Sequence, residues 1–201
     1  MSIKKNSFKV AIVVSDIAFF VCELIWYFDF FANYGVTYDI TTLIHPIPLE
    51  IAMAIVLISA LMNKTKVALF VTGVFYAICF FGSIPSFIDT INGLITFWNA
   101  YYFISKISVI FGIFEYLAYI IFAILIFLFL FNRISYKATV FGLAFSIVLM
   151  ATNTVIYPII QSFTDGVFYT DMFRRLFEWI AICVLTIGIV YTYNQSLKQN
   201  T

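Results

Sequence analysis

Apolar residues run along this chain in long unbroken stretches, not at alternating positions. Ile120-Ile121-Phe122-Ala123-Ile124-Leu125-Ile126-Phe127 contains no polar side chain. A membrane barrel strand would alternate between apolar and polar positions. A helix instead needs about 20 apolar residues to cross a hydrocarbon core roughly 30 Å thick. Six stretches approach that length: Val10–Phe31, Ile47–Met62, Val67–Ile84, Ile107–Phe131, Ala138–Ile160 and Arg174–Tyr193. The second is short. The pattern predicts an all-α integral membrane protein, a six-helix transmembrane bundle forming a single domain over residues 1–201.

Composition agrees with this pattern. Of 201 residues, 64% are hydrophobic and 10% charged. A soluble domain of this length has too little interior to hide that apolar surface, whereas lipid accepts it on the outside. The 25 Phe and 13 Tyr suit lipid-facing helices and the headgroup belt. Lys4, Lys5 and Lys9 before the first apolar run resemble a signal peptide. That run is too long, however, carries Asp16 and Glu23, and lacks a small-x-small cleavage site, so a retained first helix is expected. Cys22, Cys79 and Cys183 lie inside apolar runs without a CxxC pair and read as small buried residues. With net charge +1 and no basic stripe, nothing points to nucleic acid.

Loop charges set the orientation. With the N-terminus inside, the inner side holds Lys4, Lys5, Lys9, Lys64, Lys66, Arg133, Lys137 and Lys198, and the outer side Lys106, Arg174 and Arg175. This is a positive-inside bias, with both termini in the cytoplasm and the cell membrane as the expected location. The outer loops carry Asp39, Asp89, Asp165 and Asp171.

The inner junctions rhyme. Asn6-Ser7-Phe8-Lys9, Asn63-Lys64-Thr65-Lys66, Asn132-Arg133-Ile134-Ser135-Tyr136-Lys137 and Asn194-Gln195-Ser196-Leu197-Lys198 each bring Asn, a hydroxyl residue and Lys. The outer starts Leu49-Glu50-Ile51-Ala52, Phe114-Glu115-Tyr116-Leu117-Ala118 and Phe177-Glu178-Trp179-Ile180-Ala181 rhyme as well. These similarities suggest three parallel helix-hairpin repeats. Equally, Asn, Ser and Lys are ordinary helix-end residues at a membrane surface. The stretch 85–105, dense in aromatics at Phe97, Trp98, Tyr101, Tyr102 and Phe103, reads as a segment lying in the outer interface.

The functional signal lies in the intramembrane charges. Each ionisable group in hydrocarbon costs roughly 3 kcal/mol on insertion scales. At 1.5 Å per residue from the inner ends, Glu23, Glu50, Glu115 and Glu178 all stand roughly 20–25 Å up, at one level in the outer half of the bilayer. Asp16 stands alone, about 10 Å from the inner surface. Asn153 and Tyr157 with Ser146 mark a polar face of the fifth helix, and Thr72, Tyr76, Cys79 and Ser83 mark one on the third. Polar stripes should turn inward, which predicts an outward-opening acidic pocket rimmed by His45, Arg174 and Arg175. Its expected solute-binding residues are Glu23, Glu115, Glu50, Glu178, Asn153, Tyr157 and Arg174. Glu50 and Glu178 also have a structural reading, near helix N-termini where a carboxylate is favoured and within reach of water.

Three functions fit. The first is binding or transport of a small cationic or protonatable solute, as a homo-oligomer or beside an energising partner subunit. The second is a non-catalytic membrane partner serving immunity, assembly or signalling. The third, weaker, is an intramembrane enzyme acting on lipid. GxSxG, HExxH and Walker motifs are missing, no catalytic residue is singled out, and neither a cofactor nor a metal is expected.

Overall fold

The computed structural model describes residues 2–34, 47–97, 103–165 and 171–199. Among these, every regular element is helical: α1 (Ser2–Tyr34), α2 (Ile47–Leu61), α3 (Thr65–Phe97), α4 (Phe103–Leu130), α5 (Tyr136–Ala151), a π-turn (Thr152–Ile156), α6 (Tyr157–Asp165) and α7 (Asp171–Gln199). Five stretches are long and apolar enough to cross a membrane: Lys9–Phe28, Thr65–Gly93, Lys106–Leu130, Tyr136–Thr164 and Arg175–Gln199. Glu50–Leu61 is a shorter apolar helix. The protein is therefore a multi-pass helical membrane protein. Its outer faces carry side chains such as Phe81, Phe141 and Phe163 that only lipid would cover at low cost.

The helices outrun their apolar cores. α3 passes through Pro85 and ends at Phe97, so residues 85–97 continue that helix and do not form a separate element. Proline lacks the N–H that would bond four residues back, which kinks or ends helices in water. In an apolar medium no water can take over the freed groups, and the helix remains the economical way to satisfy its neighbours. The Ser83 hydroxyl donates to Cys79 O at 2.6 Å just before the proline. Residues 98–102, with Trp98, Tyr101 and Tyr102, lie outside the described residues, as do Asp39 and His45.

Two of the inner junctions are turns of one type. Asn63 and Asn132 have φ of 59° and 56°, the left-handed conformation that Asn tolerates better than other non-glycine residues. At the first, Lys64 N–H reaches Ser59 O and Asn63 N–H reaches Ala60 O. At the second, Arg133 N–H reaches Leu128 O and Asn132 N–H reaches Phe129 O. Both patterns are Schellman caps, which satisfy helix-terminal carbonyls within a tight turn. Ser135 then caps α5, its side chain accepting from Ala138 N–H. The other two similar junctions are not turns: Asn6 lies within α1, and Asn194 is buried within α7.

Residues from α1, α3, α4, α7 and the turn after α2 meet at one end of the bundle. Lys9 donates to Asn63 Oδ1, Thr65 Oγ1 donates to Ser196 Oγ at 3.1 Å, and Phe129 meets Tyr193 edge-on. The main packing pairs are α1 with α7, α2 with α3, α3 with α4 and α4 with α5. α7 also crosses α3, while α1–α2 and α5–α7 touch lightly. Small residues permit the tightest approaches. A Cβ on Gly188 would lie 2.9 Å from Ile12 Cγ1, and one on Gly142 would lie 2.5 Å from Leu125 Cδ1. Such contacts drive helix association where the hydrophobic effect cannot. At the centre, Tyr76 is fully buried, stacks on Phe122 with centroids 4.4 Å apart, and bonds Thr186 Oγ1 through its hydroxyl at 2.6 Å.

A cavity lined by three glutamates

Beyond Tyr76, the helices part around a cavity of ≈ 120 Å³. α1 contributes Phe19 and Glu23 to its wall, and α2 contributes Glu50. α3 adds Phe75, Tyr76 and Cys79, and α4 adds Tyr119. Met150 and Thr154 come from α5 and the π-turn, and Arg175, Glu178, Trp179 and Ile182 from α7. The carboxylates thus arrive on three different helices, each half-buried. Tyr27, one turn beyond Glu23, lies within hydrogen-bonding reach of Glu50. Among the described residues no three His, Cys, Asp or Glu side chains converge closely enough to chelate a metal ion.

The walls between them are aromatic. Phe19 meets Phe75 edge-on with centroids 6.2 Å apart, and Tyr76 packs against Phe75 at 5.3 Å. The Trp179 indole N–H is buried and finds no acceptor among the described residues. An unmet buried donor costs about 1–3 kcal/mol, which an acceptor brought by an occupant would recover.

Glu115 occupies a different setting. Its Oε1 accepts from the Tyr119 hydroxyl at 2.7 Å, and its Oε2 accepts from Asn153 Nδ2. Tyr119 is its own neighbour one turn along α4, whereas Asn153 belongs to the π-turn. There Tyr157 N–H reaches back five residues to Thr152 O. The wider turn precedes Pro158, whose ring would clash with Thr154 O in a regular helix. Thr152 and Thr154 hydroxyls take up the carbonyls of Leu149 and Met150. Glu115 stands behind Tyr119, near enough for Cys79 to feel the charges of both Glu115 and Glu178.

Of the residues expected from sequence, Glu23, Glu50 and Glu178 share the cavity, while Glu115 and Asn153 bond to each other behind its wall. Tyr157 is not among the described lining residues. The Arg174 side chain lies outside the described residues, and the lining arginine is its neighbour Arg175. Sequence reasoning missed the aromatic walls. Their signal was present, since Phe19 stands one turn before Glu23 and Trp179 directly follows Glu178. No family model, no curated protein and no solved structure matches this chain, so the site is read from its own geometry.

Proposed function

We propose that the protein binds a small organic cation in this cavity and moves it across the cell membrane. The supporting observation is the joint lining: Glu23, Glu50 and Glu178 from three helices, with Phe19, Phe75, Tyr76, Tyr119 and Trp179 between them. Carboxylates offset the charge of an ammonium group, and aromatic faces attract it through their quadrupoles when water is excluded. The cavity is of the order that accepts a benzene-sized guest, engineered cavities of about 150 Å³ doing so. Arg175 limits the net negative charge of the wall. Trp179 N–H offers a donor to an acceptor atom on the solute.

The topology that goes with this function is six crossings, with both termini and the Asn63 and Asn132 turns in the cytoplasm. It places the cavity in the outer half of the bilayer. The positive-inside distribution supports this arrangement. Single cysteines at Thr41 and Gly166 should label from outside, and those at Thr65 and Ser135 should not. Outside labelling at Thr65 would overturn the orientation. Transport through an assembly, with a second copy or an energising subunit, belongs to the same reading.

The test is a thermal-shift titration of the purified chain with methylammonium, tetramethylammonium and choline, followed by uptake in vesicles. At least one cation should raise the melting temperature saturably, and Glu23→Gln or Glu178→Gln should weaken that effect. A chain stabilised by none of them refutes the reading. A second function, the non-catalytic membrane partner, draws on Glu115. Both its oxygens are occupied by Tyr119 and Asn153, as in a carboxylate that serves packing.

A further inference from the structure

Below the cavity, on the same helix, lies a second carboxyl that its lining does not include. Asp16 is 0% exposed, and neither Oδ1 nor Oδ2 has a hydrogen-bond partner among the described residues. It stands one turn beneath Phe19, the cavity's α1 aromatic. Lys9, Asp16 and Glu23 follow each other at steps of seven residues. Seven residues make nearly two full turns, so the three share one face of α1, spaced about 10.5 Å apart. The lowest of them, Lys9, is tied to Asn63 at the end of the bundle where the tight turns lie. The highest, Glu23, is in the cavity wall.

A carboxylate withdrawn from water costs several kcal/mol unless a cation compensates it or donors surround it. Asp16 has no donor among the described residues. The ionisable cavity-lining groups from other helices are Glu50 of α2, Tyr76 and Cys79 of α3, Tyr119 of α4, and Arg175 and Glu178 of α7. Cys183 turns to Tyr76, and Tyr193 to Phe129 and Leu130. None of these groups hydrogen-bonds Asp16. A proton on one of its own oxygens removes that charge without a further partner.

We propose that Asp16 is a proton-binding site, midway between the inner surface and the cavity, that loads and unloads during the transport cycle. Loading forms one O–H bond on Asp16 and breaks one on a cavity water or on the Glu23 carboxyl. Unloading passes the proton to water at the inner end. No electrons move. Coupling of this proton to a solute rests on the function proposed above, whereas the proton site itself does not.

Infrared spectroscopy of the full-length chain tests the site without any solute. Wild type should show the C=O stretch of a protonated carboxyl in apolar surroundings, shifted by carbon-13 labelling of aspartate. The band should vanish and return as pH is raised and lowered. It should be absent in Asp16→Asn and present at a displaced frequency in Asp16→Glu. Absence of an aspartate-labelled band, or a band indifferent to pH, overturns the proposal, and the labelling comparison needs no variant to fold. In vesicles, Asp16→Asn should bind tetramethylammonium within about threefold of wild type, since Asp16 is not in the cavity wall and lies about 10.5 Å along α1 from Glu23. Its uptake should lose all response to an imposed pH gradient. An unchanged response overturns the coupling. A titrating band in a chain that binds no organic cation supports the proton site and refutes the solute reading alone.

Discussion

The cavity and the site behind Tyr119 contain the same kind of residue in opposite circumstances. Glu23, Glu50 and Glu178 come from separate helices and face a space, whereas Glu115 has each oxygen filled by a side chain of the protein. Counting along the helices puts all four at one expected depth, yet their settings differ. The π-turn swings Asn153 towards α4, and Tyr119 sits one turn from Glu115 on the same face. The cavity carboxylates instead line a space shared with aromatic side chains and Arg175.

The sharpest way to break this contrast is to neutralise the cavity. Glu23→Gln with Glu178→Gln should lower organic-cation affinity more than about 100-fold, some 2.7 kcal/mol. Melting temperature in detergent should hold or rise, because repulsion among like charges is relieved. Titration calorimetry and a melting curve on one preparation check both parts. If affinity survives, the cavity is not the site.

The converse experiment is on Glu115. Asn153→Ala leaves a half-buried carboxylate oxygen without its donor and should cost about 1–3 kcal/mol of stability, with affinity changed only a few-fold. A loss of affinity at unchanged stability would erase the distinction between the two sites. Smaller again is Tyr76→Phe, which removes the bond to Thr186 at the cavity floor and should cost about 1 kcal/mol, leaving the Phe122 stack in place. Least of all, Asn132→Ala should cost about 0.5–1 kcal/mol, while Gly there should be neutral, because only the left-handed backbone is at stake; at Asn63 either change also removes the bond from Lys9. Chemical denaturation in micelles would resolve this ranking.

Much of this was legible in the amino-acid order, and for physical reasons. Long apolar runs force helices, because backbone groups in lipid have no other partner. A common rise per residue lets the glutamates be compared by counting, and three of the four do line one cavity. Side-chain direction was not legible to the same degree. The π-turn rotates Asn153 by an amount no helical wheel contains, so its pairing with Glu115 could not be counted out. Pro85 reads as a helix end by rules calibrated in water, and α3 passes through it. Asn194 resembles Asn63 and Asn132 in its neighbours, yet it remains helical and buried, because the inner-junction similarity is a matter of composition and the left-handed turn is a matter of backbone.

The unequal lengths of α2 and α3 bear on the lipid around them. They are joined by one tight turn, so the ends that meet there are level, yet α2 has 15 described residues and α3 has 33. At 1.5 Å per residue these are about 22 Å and 50 Å, against a hydrocarbon core of roughly 30 Å. Under the proposed six crossings, no single bilayer thickness suits both. Tilting would accommodate the long helix, and local thinning of the leaflet the short one, at fractions of a kcal/mol per Å. The thinned side would be the one where α2 carries Glu50 in its first turn. Membrane thickness would then act directly on the access of water and headgroups to the cavity wall, and a thicker bilayer would draw hydrocarbon over it.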